Sequence, residues 1–222
     1  MIIEILASRP VAAPIILSLL SVVGLVLCDY RGFLGGRFIC KPLAAMAFIW
    51  LALIAGALES SYGQVLLLGL ILAATGDILL MFESEAAFLA GLVAFLCGHL
   101  LYALAFLQLP LNLLAVSLSL APAAILVGGS LLWLRGHLSG PMRYAVPAYM
   151  IVIAGMLVCA GGTWGQPGAL LIITGAWGFA LSDLAVARRQ FICTDPWNQL
   201  CGTPLYFGSQ MLLALSVIFH VA

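Results

Sequence analysis

Ile173-Thr174-Gly175-Ala176-Trp177-Gly178-Phe179-Ala180-Leu181-Ser182-Asp183-Leu184-Ala185-Val186-Ala187, followed by Arg188-Arg189, is an apolar run that carries a single carboxylate. Its length and composition predict a helix able to cross the ~30 Å hydrocarbon core of a bilayer. An ionised Asp near the bilayer centre costs about 2.5–3.5 kcal/mol on insertion scales, so Asp183 is read as a functional group with a partner. Ala73-Ala74-Thr75-Gly76-Asp77-Ile78-Leu79-Leu80-Met81 repeats the arrangement around Asp77.

The rest of the chain has the same character. Its 222 residues are 65% hydrophobic and 7% charged, where an ordinary soluble domain is about 25% charged. The expected class is therefore an all-α integral membrane protein. Eight spans are predicted, at about 10–27, 42–58, 64–82, 86–107, 111–134, 145–162, 167–187 and 204–221. Prolines 10, 42, 167 and 204 open four of them, a position where the missing N–H costs little. Connections are short, so residues 1–222 read as one transmembrane domain with any site inside the bundle or at its rim. The N-terminal Met1-Ile2-Ile3-Glu4-Ile5 lacks a basic leader, and no small-residue cleavage site follows, so the first run is expected to stay as a helix. A net charge of zero gives no support to nucleic-acid binding.

Basic residues set the expected orientation. Arg31, Arg37, Lys41, Arg135, Arg143, Arg188 and Arg189 follow spans 1, 3, 5 and 7 or stand beside them, and only Arg9 falls on the other side. By the positive-inside rule both termini face away from the cytoplasm. The expected location is the inner (cytoplasmic) membrane of a bacterium. Spans 3 and 7 then run inward. Asp77 and Asp183 lie about 6 Å and about 9 Å past the middle of their spans at 1.5 Å per residue. The order of polar features (Gly-Asp in span 3 and a polar stripe in span 4, Ser-Asp in span 7 and a polar stripe in span 8) suggests two parallel four-helix repeats with a site between them.

Other polar residues inside the spans have two readings each. In span 4, Gly91, Phe95, His99, Tyr102 and Phe106 share one helical face. His99 there is either a histidine bonded to a helix carbonyl or a member of a site. Tyr206 and Gln210 in span 8, and Tyr149 in span 6, are either hydrogen-bonding glue between helices or site residues. Lys41 is either a topology anchor or a holder of a lipid phosphate, and Arg188 and Arg189 face the same choice. Small residues at 69, 73, 76, 175, 178 and 182 predict close helix packing. Glu83 and Glu85 read as solvated loop residues. The six cysteines show no metal-ligand spacing and read as packing residues or free thiols. His99, His137 and His220 fall at different depths, so no metal site is expected.

Gly76-Asp77, Gly98-His99 with Tyr102, Ser182-Asp183 with Ala187 and Phe191, and Tyr206 with Gln210 form an ordered set. Together with Lys41-Pro42 and Pro147, Tyr149 and Met156, the set resembles the lysoplasmalogenase family of YhhN-type membrane proteins. One position departs, since Arg189-Gln190 stand before Phe191 where the family pattern has an Asn and then a basic residue. The resemblance implies hydrolysis of the sn-1 vinyl ether of lysoplasmalogens to a fatty aldehyde and glycerophosphoethanolamine or glycerophosphocholine. It implies a lysophospholipid substrate drawn from membrane lipids, and no cofactor or metal.

The chemistry suits two carboxyls. A vinyl ether is hydrolysed by protonation of its β-carbon and capture of the oxocarbenium ion by water, and glycosidases meet the related problem with an acid and a carboxylate. Asp77 and Asp183 are the candidate acid and base, in either order. His99, Tyr102, Tyr206 and Gln210 are candidates to hold the water or the ether oxygen. The competing reading is a proton-coupled transporter of a small molecule or lipid, because intramembrane carboxylates and glycine-rich helices also serve carriers.

Overall fold

In lipid, every backbone N–H and C=O must find a partner within the protein, which leaves a chain of apolar runs the helix as its way across. The computed structural model describes residues 10–221, and for residues 196–199 the backbone alone. It contains eight long helices: α1 Ala12–Arg31, α2 Leu34–Ile54, α3 Ser61–Leu79, α4 Glu85–Phe106, α5 Leu113–Leu134, α6 Met142–Gly162, α7 Ala169–Phe191 and α8 Pro196–Ser216. A 3-10 turn, Val217–Phe219, follows. Each helix is long and apolar enough to cross a membrane. Arg9 and the Met1–Ile5 stretch read above lie outside the described residues.

Local chemistry marks the helix ends. The side chains of Ser60, Ser84 and Asn112 accept hydrogen bonds from the N–H groups of Gly63, Ala87 and Ala115, so they cap α3, α4 and α5. Gly32 closes α1 with φ +66°, the left-handed conformation that glycine adopts without a Cβ penalty. Two helices start earlier than their prolines suggested. Pro42 lies inside α2 and Pro204 inside α8. Each leaves one upstream carbonyl without its intrahelical donor, and α2 thereby gains a turn that brings Arg37 onto the same helix as Lys41.

Six helices form a ring. Around it α2 packs on α3, α3 on α4, α4 on α6, α6 on α7, α7 on α8, and α8 again on α2. The remaining two lie outside, α1 against α2 and α8, and α5 against α6. Only Ala123, Ser130 and Leu134 of α5 are buried, so that helix presents most of its apolar surface outward. The helices that carry Asp77 and Asp183, α3 and α7, stand on opposite sides of the ring.

The tightest seams are made by small residues. A Cβ on Gly76 of α3 would stand 2.7 Å from Cε2 of Phe95 on α4, and one on Gly175 of α7 would stand 2.8 Å from Cγ of Leu213 on α8. These distances are below van der Waals contact, so the helices approach as closely as they do only because the side chains are missing. Gly76→Leu is expected to cost about 1–3 kcal/mol through overpacking. Gly155→Ala, where nothing lies within 4 Å of the added carbon, should be neutral or gain up to about 1 kcal/mol. Thermal unfolding of both variants in detergent micelles checks the pair.

Candidate active site

Asp77 lies in the last turn of α3, is 3% exposed, and is met from two other helices. The Nζ of Lys41 on α2 stands 3.2 Å from its Oδ1. The hydroxyl of Tyr206 on α8 donates to its Oδ2 at 2.7 Å. Lys41 also donates to the backbone carbonyl of Asp77 at 2.9 Å. That carbonyl belongs to the last helical turn, where intrahelical donors run out and a cation is favoured by the helix dipole. One ammonium thus satisfies a carboxylate and a helix terminus together.

Asp183 on α7 has a different environment. Tyr149 on α6 donates its hydroxyl to Oδ2 at 2.7 Å. The Nε2 of His99 on α4 stands 3.5 Å from the same oxygen. The other ring nitrogen of His99, Nδ1, is 2.8 Å from the carbonyl oxygen of Phe95. A carbonyl only accepts, so Nδ1 carries a hydrogen, and in the neutral ring Nε2 then offers a lone pair toward Asp183. That contact becomes attractive when one proton lies between the two groups. His99 is fully buried and stacks on Phe179, with centroids 4.1 Å apart and planes at 19°.

Both aspartates open on one cavity of about 670 Å³, together with Lys41, Tyr149 and Tyr206. That volume is in the range of small-ligand pockets. His99 does not line it and reaches Asp183 from behind. Tyr102 and Gln210 do not line it either: the Tyr102 hydroxyl donates to Gln210 Oε1 at 2.5 Å, and both side chains are fully buried. They lock α4 to α8 behind the aromatic group formed by Phe95, Phe179 and Tyr206. Lys41 and Arg188, both candidates for a lipid phosphate, are engaged elsewhere, Lys41 by Asp77 and Arg188 by Asp195. Phe179, on which His99 rests, carried no mark in the sequence beyond being one aromatic in an apolar run.

Compared with known proteins, the chain matches the family model described as YhhN family over residues 36–217. Lysoplasmalogenase TMEM86A of Bos taurus is 31% identical over 192 residues, covering 81% of this chain and 76% of that protein. Lysoplasmalogenase TMEM86B of Sus scrofa is 34% identical over 195 residues, covering 85% and 77%. Lysoplasmalogenase TMEM86A of Homo sapiens is 32% identical over 190 residues, covering 81% and 76%. No solved structure matches the chain.

The Lys41–Asp77 pair is testable by itself. Removing one member of a buried ion pair leaves the other uncompensated, at a cost of about 3–5 kcal/mol. Lys41→Met should therefore destabilise the protein by that order, and adding Asp77→Asn should recover most of the loss. A double-mutant cycle from chemical denaturation in detergent measures the coupling.

Proposed function

The chain belongs to the YhhN family, and from that premise we propose that it is a lysoplasmalogenase, a hydrolase of the sn-1 vinyl ether of lysoplasmalogens. The observation that carries the chemistry is the unlike pair of carboxyls on one cavity, Asp77 facing an ammonium and Asp183 facing a ring nitrogen's lone pair. Oxocarbenium chemistry calls for that division: one carboxyl that keeps its charge and one that brings a proton.

In this mechanism the Asp183–His99 pair holds one proton, and Asp183, the member that opens on the cavity, delivers it to the β-carbon of the vinyl ether. The double bond's electrons form the new C–H bond, and the ether oxygen stabilises the cation at the neighbouring carbon. Asp77, whose charge is balanced by Lys41, orients a water and takes its proton as the oxygen adds, giving a hemiacetal. Collapse reverses the roles. Asp183 removes the hemiacetal hydroxyl proton, Asp77 returns its proton to the departing glycerol oxygen, and both groups regain their starting states. The products are a fatty aldehyde and a glycerophospho-alcohol. Tyr149 and Tyr206 each donate to one carboxyl and hold its orientation. By the distribution of basic residues, the end of the bundle that bears Arg37 and Arg189 faces the cytoplasm.

Purified protein should release fatty aldehyde from lysoplasmenylethanolamine without a gradient or added cofactor. Asp77→Asn and Asp183→Asn should each lower kcat by about 10²–10⁴-fold, the usual worth of a positioned acid or base. In D2O one deuterium should appear on carbon 2 of the aldehyde. Turnover unaltered in either variant would remove that residue from the mechanism, and uptake of intact lipid without cleavage would favour a carrier.

A further inference from the structure

The cavity that holds the carboxyls continues to an ionic mouth. Asp29 of α1, Arg37 of α2, Glu83 in the loop after α3, and Arg189 of α7 all line it. The four come from four separate segments and line the same cavity, and Arg189 feels the charges of Arg37, Asp29 and Glu83. Glu85 lines the cavity beside Glu83, so the mouth sets two guanidinium groups among carboxylates, a pattern that fits a ligand carrying both signs.

The arginines retain donors for such a ligand. Arg37 meets Asp29 through Nε at 3.8 Å, the long end of an ion pair, which leaves its terminal N–H groups uncommitted to that contact. Arg189 makes no ion pair within 4.0 Å among the described residues. Lys41, the third cation that lines the cavity, is held by Asp77, and Arg188 pairs with Asp195. Planar guanidinium forks are the side chains best matched to phosphate oxygens.

Depth supplies the second argument. Arg37 stands four residues before Lys41 on α2, about 6 Å nearer the mouth at 1.5 Å per residue. Arg189 stands six residues beyond Asp183 on α7, about 9 Å by the same measure. In a lysoglycerophospholipid five bonds separate the vinyl ether oxygen from phosphorus, roughly 6 Å of extended chain at about 1.2 Å per bond. A lipid whose ether lies between the aspartates therefore places its phosphate at the level of the arginines.

We propose that this mouth is a headgroup subsite for a zwitterionic phosphodiester, with phosphate on Arg37 and Arg189 and the ammonium against Asp29 and Glu83. The proposal rests on the hydrolase reading above and assigns the residues that distinguish a phospho-amino-alcohol headgroup from a phosphate monoester or a neutral alkenylglycerol. Of Lys41, Arg188 and Arg189, each read from the sequence as a topology anchor or a holder of lipid phosphate, the proposal uses Arg189.

Three substrates with one alkenyl chain test it: lysoplasmenylethanolamine, 1-alkenylglycerol 3-phosphate and 1-alkenylglycerol. For the wild type, KM should be lowest for the first and highest for the last. Arg37→Gln and Arg189→Gln should each compress the KM ratio between alkenylglycerol and the two phosphate-bearing lipids by roughly tenfold, with kcat little altered, and Arg37→Lys should restore part of it. Asp29→Asn and Glu83→Gln should compress only the ratio between the ethanolamine lipid and the phosphate monoester. Ratios unchanged in the arginine variants would overturn the subsite. Binding of glycerophosphoethanolamine, followed by calorimetry with inorganic phosphate as the competing probe, separates the two readings. Binding that weakens in Arg37→Gln supports the subsite even if no lipid is cleaved, and binding indifferent to Arg37 and Arg189, or equalled by phosphate alone, overturns it.

Discussion

The contact on which the site depends is the one between the Lys41 ammonium and Asp77. An isolated charge inside a membrane bundle is costly, and α3 places a carboxylate there at its own end, where its last carbonyls also lack donors. Lys41 answers both needs from α2, bonding the side chain and the backbone carbonyl of the same residue. This joins α2 to α3 at the depth of the cavity, while Tyr206 joins α8 to the same carboxylate. Three members of the ring therefore converge on one charged group, and the cavity wall on that side is held by ionic and hydrogen-bonding geometry in addition to packing.

The opposite wall is built from the same parts in a different chemical key. Asp183 is also met by the preceding helix in its half of the chain, α6 through Tyr149, and by a helix of the other half, α4 through His99. The neighbours are a phenol that donates and an imidazole that turns a ring lone pair toward the carboxyl, where Asp77 has an ammonium and a phenol. Two carboxyls on one cavity thus meet unlike neighbours, the condition under which two like groups can take unlike roles. Phe179 and Phe95 fill the space behind them, and the Phe95 carbonyl fixes which nitrogen of His99 is turned away from Asp183.

Much of this was legible in the chain, and the reason is the solvent. Lipid makes apolar length decisive for helices and makes a buried aspartate conspicuous, so eight spans and the residues Asp77 and Asp183 stand out without a structure. His99, Tyr149 and Tyr206 were visible as polar residues on apolar faces, yet their partners lie 129 residues apart for Tyr206 and Asp77, a relation no local pattern carries. Tyr102 and Gln210 looked equally polar and turned out to bond each other behind the cavity, because helix rotation, which periodicity sets only within a helix, decides which face looks inward. Arg37 was hidden by Pro42: taking the proline as a helix start left Arg37 in a loop, whereas α2 begins at Leu34 and stacks Arg37 one turn from Lys41.

The Lys41 clamp also bears on chemical self-injury. A fatty aldehyde released beside a lysine would ordinarily condense with it to a Schiff base, a reaction that requires the amine's lone pair. An ammonium that donates to a carboxylate and to a carbonyl at once has no lone pair to give. In the proposed mechanism, the contact between Lys41 and Asp77 therefore also shields the cavity's own amine from condensation with the aldehyde product.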